Sequence, residues 1–175
     1  MQTFISETLK SILNKQSSFE NTVFILPSQR AGVFLKEEFK KLLPVGFLPN
    51  IINSEEFIEE ITEIKKIDNV QLLFHFYSVY KNIEENSEEF ESFFSWAITV
   101  LQDFNDIDQH LVNPKDIFTY LKDIERLKNW SVKKPLVQTQ MMKNHFSFME
   151  KLGEYYTAFY AYLREKNIGY QGLIY

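Results

Sequence analysis

Two short polar turns carry the densest binding chemistry in the sequence. Pro27-Ser28-Gln29-Arg30-Ala31 sets a hydroxyl, a carboxamide and a guanidinium in consecutive positions. The apolar run Thr22–Leu26 precedes it and an amphipathic stretch follows, so the turn falls at the carboxyl end of a strand and the start of a helix. Ligands of open α/β sheets bind at that place. Free backbone N–H groups and a planar guanidinium converging there suit a phosphate. Asn53-Ser54 repeats the arrangement after a second short segment, Asn50–Asn53. The same residue types also make ordinary helix caps, and local sequence leaves both readings open for each turn.

Other clusters point more strongly to structure than to chemistry. Asp103, Asp106 and Asp108 fall within six positions and could hold Mg²⁺ or Ca²⁺, but Ile107 and a missing turn glycine break the calcium-loop pattern. Such a cluster more often ends one helix and caps the next. Glu55, Glu56, Glu59, Glu60 and Glu63 share one helix with no His or Lys opposed to them, which is the pattern of a wet surface. Phe148, Leu152, Tyr155, Phe159 and Tyr162 recur at steps of 4, 3, 4 and 3, which suits a packing seam. Tyr156 and Tyr160 fall off that stripe and are the better candidates for surface aromatics that could stack on bases. With no Cys and three scattered His (His75, His110, His145), disulfides, thiol nucleophiles and ordinary zinc sites are excluded. No cofactor and no metal site is expected.

The elements that must position the two turns follow from periodicity. Thr3–Lys15 is an amphipathic helix with Phe4, Ile5, Leu9, Ile12 and Leu13 on its stripe. Thr22–Leu26, short and wholly apolar after its first residue, predicts a strand buried on both faces. Ser28 caps a helix from Gln29 to Leu43 whose inner face carries Val33, Phe34, Phe39 and Leu42. Asn50–Asn53 is a second strand, and Asn53-Ser54-Glu55-Glu56 resembles a capping box opening a helix through Ile64. Helix, strand, helix, strand, helix is the grammar of parallel strands in an α/β layer. Beyond it, helices are expected over Asn69–Glu84, Ser87–Asn105, Pro114–Lys128 and Thr139–Asn167, the last ended by Gly169, with Trp130–Pro135 the most loop-like stretch.

The composition supports a folded protein of one domain and a subdomain. Among 175 residues 45% are hydrophobic, and 17 Phe with 9 Tyr are far too many for a disordered chain. Five Gly and five Pro are too few for the recurring turns of an all-β sandwich. The apolar runs fall short of the ~20 residues a membrane span needs, and the amino terminus has no secretory core, so the chain reads as cytoplasmic, with no membrane partner. The net charge of −5 is unevenly spread: +2 over residues 1–44, −11 over 45–112 and +4 over 113–175. A basic face is compatible with that distribution.

Thr22-Val-Phe-Ile-Leu-Pro-Ser-Gln-Arg-Ala31 and Ile51-Ile-Asn-Ser-Glu-Glu-Phe57 resemble, in order and spacing, two single-stranded DNA contact motifs of the UvrD/RecB/AddB helicase superfamily. Phe93-Phe-Ser-Trp-Ala97, Leu101-Gln-Asp-Phe-Asn-Asp-Ile-Asp108 and Gly169-Tyr-Gln-Gly-Leu-Ile-Tyr175 are similar to the amino-terminal region of AddB-like helicase–nuclease subunits, which end in a PD-(D/E)XK nuclease domain. The resemblance covers essentially the whole chain. It implies a mostly helical α/β fold, with a partial RecA-like (P-loop-NTPase-like) portion over 1–65 and a helical 1B-like insertion over 66–175. It also implies that the chain is the opening part of a longer protein. One feature of active helicases is missing: residues 1–21 contain no Gly, so no GxxxxGK[ST] loop precedes Thr22.

The expected function is therefore a non-catalytic DNA-handling module in recombination and repair. Ser28, Gln29, Arg30, Asn53 and Ser54 would contact the backbone of single-stranded DNA, weakly and in a salt-sensitive way. The alternative is an interaction scaffold that docks a partner helicase–nuclease subunit without touching DNA, drawing on the acidic middle segment.

Overall fold

Short apolar runs alternate with amphipathic stretches through the first 62 residues, and they fold as α1 (Phe4–Leu13), β1 (Val23–Leu26), α2 (Gln29–Leu42), β2 (Asn50–Asn53) and α3 (Ser54–Thr62). The computed structural model describes residues 3–15, 19, 21–43, 46–129 and 140–175. The chain divides into two units, Met1–Thr62 and Glu63–Tyr175. It is an α/β protein, mostly helical, with short parallel strands.

In the first unit β1 and β2 pair in parallel, Val23 opposite Asn50 and Leu26 opposite Asn53. A parallel pair needs a crossover connection, and α2 provides it. Leu9, Leu35 and Phe39 form the buried centre, with Phe19, Phe24, Leu26 and Ile51 packed around it. Phe39 meets Phe19 and Phe24 edge-on at centroid distances of 5.5 and 5.4 Å. Such ring pairs contribute about 0.5–1.5 kcal/mol each beyond area burial. Gly32 lies over the sheet beside Ile51 and Leu26, where a Cβ would make ordinary contacts at 3.5 and 3.9 Å.

Two expectations for this unit are corrected. β1 is not buried on both faces: Phe24 and Leu26 turn to the helices, while Val23 and Ile25 are 48% and 44% exposed. Within the unit α1 and α2 cover one face of two strands, and alternation along β1 sends every second side chain away from them. Phe4, Val33 and Phe34 also lie outside the core, Phe4 at 82% exposure. The apolar arcs of α1 and α2 are wider than the contact that a two-stranded sheet can offer. The buried line of α2 is Gly32, Leu35 and Phe39 instead.

The second unit runs β3 (Lys65–Lys66), α4 (Asn69–Ile83), α5 (Phe90–Gln109), α6 (Pro114–Asn129), α7 (Gln140–Glu165), β4 (Ile168–Gly169) and α8 (Gln171–Ile174). Phe76, Phe93, Phe104 and Phe159 are fully buried at its centre. Phe76 lies 5.3, 5.8 and 5.0 Å from the rings of the other three. Full burial of such a side chain stabilises by about 1.5–3 kcal/mol. Asn113 caps α6 as expected, its Oδ1 accepting from the Lys115 N–H at 3.2 Å.

Several boundaries move for identifiable reasons. α3 stops at Thr62 because Glu63 takes a left-handed φ of 58°, which turns Ile64 into the core. α5 runs from Phe90 to Gln109 rather than over Ser87–Asn105, so Asp103, Asp106 and Asp108 fall in its last two turns. Asn167, at φ 52°, ends α7 in place of Gly169, a position Asn tolerates. Gly169 belongs instead to the β3–β4 pair, where the Lys65 N–H donates to the Asn167 carbonyl at 2.9 Å and the Ile67 N–H to that of Gly169 at 3.0 Å. The loop expected over Trp130–Pro135 and the helix start at Thr139 lie outside the described residues. No helix among the described residues is long and apolar enough to cross a membrane.

Candidate nucleic-acid interface

The register of β1 and β2 sets the two polar turns side by side. Leu26 stands opposite Asn53 and both strands run the same way, so Pro27–Arg30 and Asn53–Ser54 emerge at one carboxyl edge. Neighbouring strands lie about 4.8 Å apart.

Ser28 has extended backbone (φ −158°, ψ 155°) and caps α2, its Oγ accepting from the Ala31 N–H at 3.3 Å. Gln29 and Arg30 then occupy the first two helical positions, where N–H groups have no intrahelical acceptor and the helix end is positive. Ser28, Gln29 and Arg30 are all exposed. No acidic residue sits in the first turn of α2. Further along, Lys40 and Lys41 pair with Glu37 and Glu38 at 2.6 Å. Arg30 has no carboxylate partner among the described residues; its guanidinium lies over the Phe34 ring, 5.8 Å from the centroid.

The second turn is built differently. The Asn53 N–H donates to Glu56 Oε2 at 3.1 Å, and Asn53 Oδ1 accepts from the Glu56 N–H at 2.8 Å. This is a reciprocal capping box. It takes up the Asn53 carboxamide, which is 9% exposed. Asn53 thus fixes the turn, and Ser54 beside it is half-buried. Glu55 and Glu56 place two carboxylates in the first turn of α3. The α2 end thus opens without a carboxylate and the α3 end with two. Phe34 is one of the residues that periodicity misassigned to the core. Its i+4 spacing from Arg30 is the signal for the cation–ring contact.

Asp108 and most of the aromatic stripe resolve into packing. Asp108 accepts from the hydroxyls of Tyr156 and Tyr170. Burial first, and then this carboxylate, pushes both phenols far above their ordinary range. Asn105 Oδ1 accepts from the Gly172 N–H at 2.9 Å, so the same stretch of α5 ties down the carboxyl-terminal segment. Tyr156 is buried, which corrects its placement as a surface aromatic; Tyr160 is 37% exposed. Leu152, Tyr155 and Phe159 of the heptad-like stripe are buried as a packing seam requires. Tyr155 donates to Glu84 at 2.5 Å, and the Tyr162 hydroxyl meets His75 Nδ1 at 3.0 Å. Among the described residues no group of three or more His, Asp or Glu comes together to hold a metal ion.

No protein-family model, curated protein or solved structure matches this chain, so the two strand-end turns and their charges carry the functional reading by themselves.

Proposed function

We propose that the first unit contacts the sugar–phosphate backbone of single-stranded DNA through Ser28, Gln29 and Arg30, with Asn53 and Ser54 at the neighbouring strand end. The wider setting in this proposal is a non-catalytic, helicase-like module of an AddB-like recombination and repair nuclease, acting in the cytoplasm. One observation carries the contact: two helix-opening turns share the carboxyl edge of a parallel strand pair, and Arg30 stands there exposed with no carboxylate partner among the described residues. Oriented N–H groups and a guanidinium recognise phosphate without reading bases. The motif resemblance supports the setting.

Fluorescence anisotropy with short labelled oligonucleotides at low salt tests the contact. Arg30→Ala should weaken binding to all sequences alike and flatten the salt dependence by about one unit. Identical isotherms for the parent chain and Arg30→Ala would remove the DNA reading. A different observation favours the scaffold alternative. Phe74 stacks on Phe90 at 5.2 Å, Phe90 lies 6.2 Å from Phe94, and Phe74 and Phe94 stay 55% and 45% exposed. This aromatic surface lies within the segment of net charge −11, which suits a basic protein partner better than DNA.

A further inference from the structure

A cavity of about 360 Å³ opens between α5, α6 and α7 in the second unit. Phe104 and Ile107 of α5, Phe118 and Leu121 of α6, and Leu152 of α7 make its walls apolar. An apolar cavity of about 150 Å³ holds benzene, so this one has room for a two-ring body. Its volume is within the roughly 300–1,000 Å³ of small-molecule sites.

Among the described lining residues the full charges are the carboxylates of Asp103 and Asp106, both exposed. Asp103 and Asp106 both border the cavity, and among the described residues neither pairs with a Lys or Arg. Their i, i+3 spacing puts the Cβ atoms about 5–6 Å apart, which leaves space for one ammonium between the carboxylates. Burial, and then the neighbouring Asp106 charge, hold the Asp103 carboxyl above its ordinary value. An anion would be repelled here, and a neutral ligand would leave two like charges facing each other. A bare divalent ion would find only two carboxylates against hydrocarbon walls. His110, one turn beyond Asp106, is the only basic side chain among the described lining residues, and it is exposed.

We propose that this cavity binds a small amphipathic cation, with a two-ring apolar body between α5, α6 and α7 and a protonated amine between Asp103 and Asp106. The site is separate from the strand-end turns of the first unit and does not depend on them.

Three probes of one shape separate the contributions: 2-(1-naphthyl)ethylamine, the corresponding alcohol, and 1-naphthylacetate. Calorimetric titration of the full chain near neutral pH should show the amine binding at least tenfold more tightly than the alcohol, and the carboxylate not binding. Asp103→Asn should weaken the amine at least fivefold and leave the alcohol unchanged. Leu121→Trp, at a half-buried wall position that spares the fully buried core, should abolish binding of both while the helical circular dichroism is retained. Equal affinities for amine and alcohol would overturn the proposal. So would an amine isotherm indifferent to both Asp103→Asn and Asp106→Asn, or the absence of binding by all three probes at millimolar concentration.

Discussion

Gly172 is the position where the second unit has least room. A Cβ built there would stand 2.3 Å from the Asn105 carbonyl oxygen and 2.8 Å from the Gln109 nitrogen, both in the backbone of α5. Even the close C···O contacts of sheets keep about 3.3 Å, so in Gly172→Ala the α8 turn must retreat by about 1 Å. No rotamer can relieve the clash, because the obstacle is main chain. The retreat stretches the 2.9 Å bond from the Gly172 N–H to Asn105 Oδ1, worth about 1 kcal/mol. It also strains the packing of Leu173 and Ile174, at a cost typical of overpacking, about 1–3 kcal/mol. The expected loss is therefore about 2–4 kcal/mol. Trp96 reports on this unit, since its ring lies 4.8 Å from Phe93 and 6.0 Å from Phe76. Urea unfolding followed by Trp96 fluorescence in a Trp130→Phe background measures the change, provided the denaturant slopes agree. Gly153→Ala is the control. Its Cβ would meet Phe118 Cβ and Cγ at 3.2 and 3.3 Å, a milder contact than at Gly172 that asks a slight shift of α6, against which the helix gains about 0.8–1 kcal/mol from Ala. If Gly172→Ala is within about 0.5 kcal/mol of the parent, the close docking of α8 on α5 is wrong.

Burial alone would raise the Glu84 carboxyl, but the Lys151 ammonium at 2.6 Å and the Tyr155 hydroxyl hold it below its ordinary 4.5. The unfolded chain then takes up this proton at a higher pH than the folded one, so stability falls as pH drops below that ordinary value. Glu84→Gln should flatten the acid limb of a urea-midpoint series run from about pH 6 to about pH 3; an unchanged slope refutes the pairing. The two turns should differ in thermal denaturation. Ser28→Ala should cost about 1 kcal/mol, Asn53→Ala up to about 2, and Ser54→Ala less than either, because Asn53 carries the α3 cap; the reverse order for Asn53 and Ser54 would show that the cap is misassigned. Asp108→Ala and Tyr170→Phe should be non-additive by about 1 kcal/mol or more in a double-mutant cycle, whereas additivity would mean that the carboxylate does not hold the phenol.

Helix existence was legible because each long helix rests on many periodic positions. α4 and α6 begin and end within two residues of where their apolar stripes place them, and α7 ends within two. What periodicity cannot carry is a two-residue strand or a four-residue helix. β3, β4 and α8 exist because Asn167 turns left-handed and brings Ile168 and Gly169 beside Lys65 and Lys66, more than a hundred positions earlier. The same limit explains Asp108. Its partners Tyr156 and Tyr170 lie 48 and 62 residues away, so the local pattern shows only three nearby carboxylates. Their i, i+3 spacing suggests a metal or a cap, while tertiary contact makes one of them an anchor for two phenols.

The candidate interface divides along the same line. Ser28 was legible as a cap because its hydroxyl needs only the next turn of its own helix, and Asn53 with Glu56 is equally local. That the two turns are neighbours is not local, since parallel pairing of Leu26 with Asn53 depends on how α2 crosses over the sheet. Strand order and direction convert two ordinary caps into one exposed edge with a single guanidinium. Phe34 shows the cost of reading hydrophobicity without charge. As an apolar residue at helical spacing it belongs in a core, yet two strands offer too little surface to cover it, and the Arg30 side chain one turn earlier lies over its ring instead. A contact of that kind draws the guanidinium toward the ring at the helix end. Phe34 therefore belongs with Arg30 when the turn is probed.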